Sequence, residues 1–391
     1  MRERADEALR QAVATLGGSF GALHLTDPDR AGLRLAAWHG DGPEGTPESV
    51  AQVAWSPDAA APAEGLPGAW VAPVRMGDHL IGSLAVGPRA GAPDMAEGEA
   101  MEREAARIAR RLAPPAAEAL WAELSARVPA ERLAWLDAQV EAAAAGDLAA
   151  VRRAFPAVGR RLGRGPFGSA GALVREDGDA AVPLRAWRMD DAGRVAMLLA
   201  VPEDREELAR ELYYSGDMRE RTGVLRGLAV FGRDETALDA LRDAYRANAR
   251  ELFEAAVADS PYASTRLTDD EFRQVALKAV FLGVSLECIA LIHERADAEL
   301  TGSLIAYVTE REMAVRSVPP DIWPVAGSAP VPGVVARLVG YLEHPMPAHR
   351  AAAARGLGLS GDSRARSFLE ERLARETDPF VRAAIERALA L

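Results

Sequence analysis

Four side chains in one stretch of the sequence have the chemistry of general acids and bases. They are Lys278, His293, Glu294 and Glu254. Lys278 is the only lysine of the chain, against 45 arginines, and an ammonium changes its pKa on burial more readily than a guanidinium does. These four residues are therefore the candidates for acid–base catalysis, and the spacing alone assigns the catalytic role to none of them.

A second set of polar side chains in the same stretch could bind a small ligand. The candidates are Arg246, Asn248, Arg250, Lys278, Arg295 and Tyr307. Ligand sites in helix bundles are built from inward-facing polar residues on neighbouring helices. The pocket is therefore predicted between three helices, which carry Arg246 to Glu254, Lys278, and His293 to Tyr307.

Lys278 has two interpretations. In the first, its ammonium lies near Glu254 or Glu294 and binds an anionic group of a ligand. In the second, Glu271, Gln274 and Lys278 form a solvated stripe on one face of their helix, because Lys is rarely buried.

Three helices are predicted to position these side chains. Apolar residues recur at helical spacing in Tyr245–Tyr262, Asp269–Gly283 and His293–Glu312, which places them on one face of each helix. Proline and glycine mark the joints, and the pair Pro319-Pro320 is predicted to end the third helix. On this interpretation Arg246, Asn248, Arg250 and Glu254 share one helix.

Neither a metal site nor a cofactor is predicted. The six histidines are scattered and lack the spacing of metal ligands. Two acidic clusters, Asp190-Asp191 and Asp269 to Glu271, precede apolar helical patterns, where carboxylates more often cap a helix than bind a cation. The single cysteine, Cys288, lies in an apolar stretch and is expected to be a buried, inert thiol.

Composition excludes several classes of protein. A net charge of −12 argues against a general nucleic-acid binder, which needs clustered positive charge. The chain has no run of eighteen apolar residues, so no membrane span is predicted, and its charged amino terminus does not read as a signal peptide. A cytoplasmic location is expected, since one cysteine permits no internal disulfide.

Residues 1–113 are predicted to form an α/β domain. A helix precedes two strand pairs, a second helix follows, and Gly40–Gly68 is predicted to be a loop rich in Gly, Pro and Ala. This order, with the closing hairpin APVRMGDHLIGSLAVG, resembles a GAF domain. Because the loop offers few side chains to wall a pocket, homodimerisation or docking is favoured over ligand sensing, and the flanking helices are the expected dimer contact.

The remainder is predicted to be an all-α, solenoid-like region, because short helical patterns alternate with Gly, Asp and Pro turns. Residues 114–327 resemble the EboA domain family of bacteria through LYYSGDMRERTGVLRGL, YRANARELFEAAVADSPYA, QVALKAVFLGVSL and ERADAELTGSLIAYVTERE. Residues 328–391 resemble HEAT repeats, because HPMPAHRAAAARGLG and TDPFVRAAIERAL align at an offset of about 34 residues.

The EboA resemblance implies a role in handling or assembling a bacterial secondary metabolite with prenylated or sugar-derived precursors. Two functions stay open. The chain is either an accessory protein whose helical scaffold binds a small molecule or a pathway enzyme, or an enzyme acting by acid–base chemistry on an isoprenoid, cyclitol or aromatic precursor. Catalytic groups would converge in a cavity, whereas scaffold charges would face solvent.

Overall fold

A computed structural model describes residues 2–26, 33–40, 61–62, 69–76, 79–87, 95–112, 115–178 and 180–390. Most of the predicted loop Gly40–Gly68 lies outside these ranges. The chain divides into two compact units, Met1–Arg233 and Asp234–Leu391. In the described ranges every helix is too short or too polar to cross a bilayer.

The first unit begins with two helices packed on an antiparallel sheet, so the α/β prediction for this segment is confirmed. The strands are β1 (Phe20–Thr26), β2 (Leu33–Gly40), β3 (Ala61–Pro62), β4 (Trp70–Met76) and β5 (His79–Gly87), in the order β2-β1-β5-β4-β3. The helices are α1 (Arg2–Leu16) and α2 (Met95–Leu112). Leu9 and Val13 of α1 and Ile108 of α2 share a buried core with Leu23 and Leu84 of the sheet.

In the described residues of the rest of the first unit, the secondary structure consists of helices and one hairpin. The helices are α3 (Ala116–Ser125), α4 (Ala130–Ala144), α5 (Leu148–Ala154), α6 (Val158–Leu162), α7 (Met189–Ala200), α8 (Arg205–Ser215) and α9 (Met218–Phe231). The all-α prediction is wrong at β6 (Ala172–Val174) and β7 (Ala181–Pro183), which pair in antiparallel fashion. Leu173 and Val182 face each other there and are buried, so a segment with too many glycines for a helix still buries apolar surface as a hairpin.

Helix α7 carries charge into the interior of the first unit. Asp191 caps the helix by accepting a hydrogen bond from the Arg188 N–H at 3.0 Å, as the sequence predicts. Asp190 has a different role, because its buried carboxylate pairs with Arg194 at 2.8 Å and Arg219 at 2.7 Å. Helices α7 and α9 are therefore joined by the ion pair of Asp190 with Arg219 as well as by apolar packing.

In the described residues of the second unit, the elements of regular secondary structure are helices. Its helices are α10 (Leu238–Arg246), α11 (Arg250–Val257), α12 (Pro261–Arg266), α13 (Asp269–Leu282), α14 (Ala298–Met313), α15 (Ile322–Ser328), α16 (Val334–Tyr341), α17 (Pro347–Leu359), α18 (Ala365–Arg375) and α19 (Pro379–Leu389), with a 3₁₀ turn at Leu286–Cys288.

Local chemistry fixes both ends of α13. Thr268 accepts a hydrogen bond from the Glu271 N–H, while the Glu271 carboxylate accepts one from the Thr268 N–H. This reciprocal capping box starts the helix. Gly283 ends it in the left-handed conformation, with φ at +67°, which an L side chain adopts only with strain.

Two other predicted helices are corrected. The stretch predicted as one helix from Tyr245 to Tyr262 is divided among α10, α11 and α12, because the chain is extended at Ala247 and Ala249. The helix predicted from His293 begins only at Ala298, because the Asp297 side chain accepts a hydrogen bond from the Leu300 N–H at 2.8 Å and caps it there.

The carboxy-terminal helices form a layer in which α17 packs between α15 and α19. Helices α15 and α17 approach at two glycines. A Cβ atom at Gly327 would lie 2.1 Å from the carbonyl oxygen of Gly356, so no larger residue fits without moving one of the helices. Proline at the first turn of α17 and α19 starts both helices.

Candidate functional site

An open, largely apolar groove of about 610 Å³ lies along α17 in the second unit. Helix α17 forms its floor, α15 forms one wall and α19 the other. The lining residues are Glu287, Pro320, Asp321, Pro324, Ala348, Ala351, Ala352, Arg355, Phe380, Ala384, Arg387 and Ala388. A groove of this volume is within the range of small-molecule sites.

Helical spacing explains why these residues share one surface. Ala348, Ala351 or Ala352, and Arg355 recur at three- and four-residue intervals on α17, which places them on one face. Phe380, Ala384 and Arg387 do the same on α19. Alanine leaves room where a larger side chain would fill the groove, and Phe380 is 59% exposed within it.

A charged cluster of Glu287, His293 and Arg355 lies at one edge of the groove. Arg355 Nη1 lies 2.7 Å from Glu287 Oε2, and Arg355 Nη2 lies 2.9 Å from His293 Nε2. The same His293 Nε2 also lies 3.3 Å from Glu287 Oε1. This nitrogen therefore contacts a donor, the Arg355 guanidinium, and an acceptor, the Glu287 carboxylate, and each neutral tautomer of the imidazole satisfies one of the two.

The far side of the same imidazole contacts a serine hydroxyl. His293 Nδ1 lies 2.9 Å from Ser328 Oγ, and the Ser328 hydroxyl donates to the carbonyl oxygen of Pro324 at 3.1 Å. Ser328 therefore links the imidazole to the backbone of α15. A chain of hydrogen bonds thus runs from Arg355 on the floor through His293 to Pro324 on the wall of the groove.

Glu287 stays ionised within this cluster. Burial alone would raise the pKa of its carboxyl, but the contacts with His293 and Arg355 outweigh burial and hold the pKa below its ordinary value. The Glu287 carboxylate therefore compensates the charge of Arg355.

The remaining two charges lie on opposite walls. Asp321 Oδ2, on the α15 side, accepts from the Ser285 hydroxyl at 2.9 Å and the Leu286 N–H at 2.8 Å, and so caps the 3₁₀ turn. Arg387 is exposed on α19, and among residues 234–390 it has no hydrogen-bonded or ion-paired partner. Of the two cations that line the groove, Arg355 is paired with Glu287, and Arg387 has no anionic partner among the described residues of this unit.

Lys278 lies away from this groove and has a structural role. Its Nζ donates to the carbonyl oxygens of Tyr245 at 2.8 Å and Ala247 at 2.7 Å, at the carboxyl end of α10, and stacks over the Phe253 ring. Burial lowers the pKa of Lys278. Neither sequence interpretation describes this arrangement, since the ammonium binds backbone carbonyls.

The other candidate residues do not gather into one site. Arg246 is the last residue of α10 and its side chain is 64% exposed. Asn248 is exposed between helices, and Arg250 begins α11 and pairs there with Glu254 at 2.8 Å. The prediction that these four residues share one helix is therefore wrong, because the break at residues 247–249 turns them onto separate elements.

The residues of the third predicted element also point in different directions. Glu294 is exposed, while Arg295 donates to the Ser264 carbonyl at 2.6 Å and pairs with Asp269 at 2.5 Å. Tyr307 packs edge-on against Phe281 and accepts a hydrogen bond from Arg311 at 3.2 Å. Only His293, of all the candidates, reaches the edge of the groove.

Sequence reasoning missed Glu287, Arg355, Arg387 and Phe380. A usable signal was present for the last three, since Arg355 and the pair Phe380 and Arg387 lie in the two stretches whose similarity indicates helical repeats. Reading each stretch as a helix places Arg355 in line with a row of alanines. Nothing in the sequence, however, indicates that the two rows face the same groove.

Metal ligands are not grouped in the described ranges, where no three His, Cys, Asp or Glu side chains lie close enough together to hold an ion. Cys288 is half-buried, so the prediction of a buried thiol is wrong in its degree of burial. Its carbonyl oxygen accepts from the Asp259 N–H at 2.6 Å, which ties the 3₁₀ turn to the end of α11.

Two family comparisons match the chain. Residues 116–327 match the family described as metabolite traffic protein EboA, and residues 322–390 match HEAT repeats. No curated protein matches. Both resemblances predicted from the sequence are thereby confirmed, the first over more than half of the 391 residues, while the GAF resemblance of residues 1–113 remains a prediction.

Proposed function

Because the chain belongs to the EboA family of metabolite traffic proteins, we propose that it binds a small, largely apolar metabolite in the groove along α17. The observation that carries this proposal is the groove itself, with about 610 Å³ of open volume lined by alanine, proline and phenylalanine. Burying a ligand's apolar surface there would release it from water and supply most of the affinity.

The contacts and exposure of the four acid–base candidates favour binding over catalysis. Lys278 caps a helix, Glu254 is paired with Arg250, and Glu294 is exposed. His293 engages both ring nitrogens with neighbouring side chains. An accessory role in which the metabolite is held and passed on therefore accounts for these residues better than the enzyme alternative.

The finer features of the role are part of the same proposal. The metabolite would belong to a bacterial secondary-metabolite pathway, and the exposed helical surface would offer a docking face to an enzyme of that pathway. The GAF-like domain would pair two copies of the chain through α1 and α2. Light scattering on the full chain, alone and with the GAF-like domain removed, tests the pairing through the difference in molecular mass.

Occlusion of the groove tests the proposed function. The neutral fluorophore N-phenyl-1-naphthylamine brightens on entering an apolar site, so a titration with the full chain reports occupancy. Ala352→Trp fills the floor and should abolish most of the signal, whereas Ala383→Trp, exposed on α19 outside the groove, should leave it unchanged. If both variants bind the fluorophore as the parent chain does, the groove is not the site.

A further inference from the structure

Arg387 distinguishes one end of the groove from the rest, and we infer that the metabolite carries an anionic group that binds there. The group would be a carboxylate, sulfonate or phosphate on an otherwise apolar body. This inference rests on the proposed function, since it names the chemical class of the ligand for the same site.

Charge compensation singles out Arg387. Arg355 is neutralised by Glu287 at 2.7 Å and held by His293, so it offers little net attraction to a second anion. Arg387 has no such partner among residues 234–390, although the protein has a net charge of −12 and most of its described arginines are ion-paired. An unpaired guanidinium beside an apolar surface binds an anion with charge-assisted hydrogen bonds.

The competing negative charge lies on the opposite wall. Asp321 belongs to the α15 side, where its Oδ2 already accepts two hydrogen bonds, and α17 separates α15 from α19. An anion at Arg387 therefore avoids Asp321 as long as the apolar body lies across the alanines of the floor. The two walls thus set the direction in which an amphipathic ligand binds.

The spacing along α19 bounds the length of the ligand. Phe380 and Arg387 are seven residues apart on one helix face, which corresponds to about 10 Å along the axis. A ligand whose apolar part packs on Phe380 and whose anion reaches Arg387 spans that distance. Fused or linked aromatic rings and branched hydrocarbon chains of moderate length meet this requirement.

Two fluorophores that differ by one sulfonate test the inference on the full chain. 8-Anilinonaphthalene-1-sulfonate is the anionic counterpart of neutral N-phenyl-1-naphthylamine. Arg387→Gln should weaken binding of the anionic fluorophore about tenfold, as expected for the loss of a charge-assisted contact, and should leave the neutral one within roughly twofold. Arg387→Lys keeps the charge and should restore most of the anionic affinity.

Arg266→Gln is the matched control, because Arg266 is also exposed and ends α12 outside the groove. It removes the same net charge and should change neither affinity. Equal weakening of both fluorophores by Arg387→Gln, or no weakening of either, overturns the inference. The Ala352→Trp variant distinguishes a failure of this inference from a failure of the proposed function. If Ala352→Trp reduces the signal of neither fluorophore, the groove is not the binding site and the proposed function is wrong.

Discussion

The ammonium of Lys278 lies 2.7 Å from the carbonyl oxygen of Ala247, 31 residues earlier in the chain. A side chain of α13 thus completes the hydrogen bonding of α10 at the end where helical carbonyls lack partners. The positive charge also opposes the partial negative charge of that helix end. The break between α10 and α11 is held by this contact, since no glycine or proline lies within residues 246–250.

Lys278→Met should lower the free energy of unfolding by about 1 to 2 kcal/mol, because two partly buried carbonyls lose their donor while the methionine keeps the packing of the stem. Urea denaturation followed by circular dichroism measures the change. Gln274→Met, on the exposed face of the same helix, is the control. A midpoint for Lys278→Met equal to that of the parent chain would contradict the capping role.

Stability should fall as the pH is lowered, because of His349. Burial and the adjacent His344, whose ring centroid lies 4.1 Å away, lower the pKa of His349 to about 4 from 6.5. Between pH 6.5 and about 4, the unfolded chain binds a proton at His349 that the folded chain does not. The contribution of neutral His349 to the free energy of unfolding is therefore fully present above pH 6.5 and is lost as the pH falls towards 4. Between pH 7.5 and 5 the loss should be about 1 to 2 kcal/mol.

His349→Asn should flatten this dependence while keeping an acceptor for the Trp323 Nε1–H, which lies 3.4 Å from His349 Nδ1. Denaturation curves at both pH values compare the variant with the parent chain. His39→Asn, at an exposed position of β2, controls for loss of a histidine. An unaltered slope in His349→Asn would rule out His349 as the source.

Asp191 should act in the opposite direction. Burial and the adjacent Asp190 raise the pKa of Asp191 to about 6, against the hydrogen bond from the Arg188 N–H. Its contribution to stability is full below the unfolded pKa of 3.8 and is lost as pH rises through about 6. Asp191→Asn keeps the cap and should stabilise the chain by about 2 kcal/mol at pH 7 and hardly at all at pH 4.

Asp190→Asn provides the contrast on the same helix. It leaves Arg194 and Arg219 without their shared carboxylate, so it should destabilise by about 3 to 5 kcal/mol at both pH values. Thermal unfolding at pH 4 and 7 compares the two variants. Stabilisation by Asp191→Asn that does not change with pH would refute the assignment.

Glu287→Gln should make the groove more attractive to anions. Without the carboxylate, Arg355 keeps its position against His293 but gains an uncompensated charge. Affinity for 8-anilinonaphthalene-1-sulfonate should rise about threefold, with that for the neutral fluorophore unchanged. Glu294→Gln, exposed and outside the groove lining, is the matched control, and an equal rise in that variant would mean that only the net charge matters.

Sequence patterns predict the bounds of a helix well where residues of that helix set them, and poorly where a contact with a distant residue sets them. The bounds of α13 follow from Thr268, Glu271 and Gly283, all of which act on their own helix. The break after Arg246 depends on Lys278, so no local pattern marks it. The apolar spacing therefore predicts one helix across Arg246 to Glu254, and the structure shows two.

The site was harder to predict for a related reason. His293 stood out as a titratable residue, whereas the apolar lining of the groove consists of alanines, two prolines and one phenylalanine that are unremarkable in any single helix. The charged groups of the groove identify a site only once their partners are known. Arg355 is paired with Glu287, 68 residues away in the sequence, whereas Arg387 has no anionic partner among the described residues of this unit. Pairing of that kind belongs to the tertiary structure.

The glycine contact between α15 and α17 has a consequence for dissecting the chain. Residues 322–327 of α15 belong to both family matches, and Gly327 lies against Gly356 at backbone distance. A fragment that stops at residue 327 would carry one wall of the groove without its floor, and a fragment that starts at 328 would carry the floor without that wall. The groove therefore forms only when both segments are present. Replacing either segment with that of a homologue would preserve the groove only if the replacement keeps the close approach of Gly327 to Gly356.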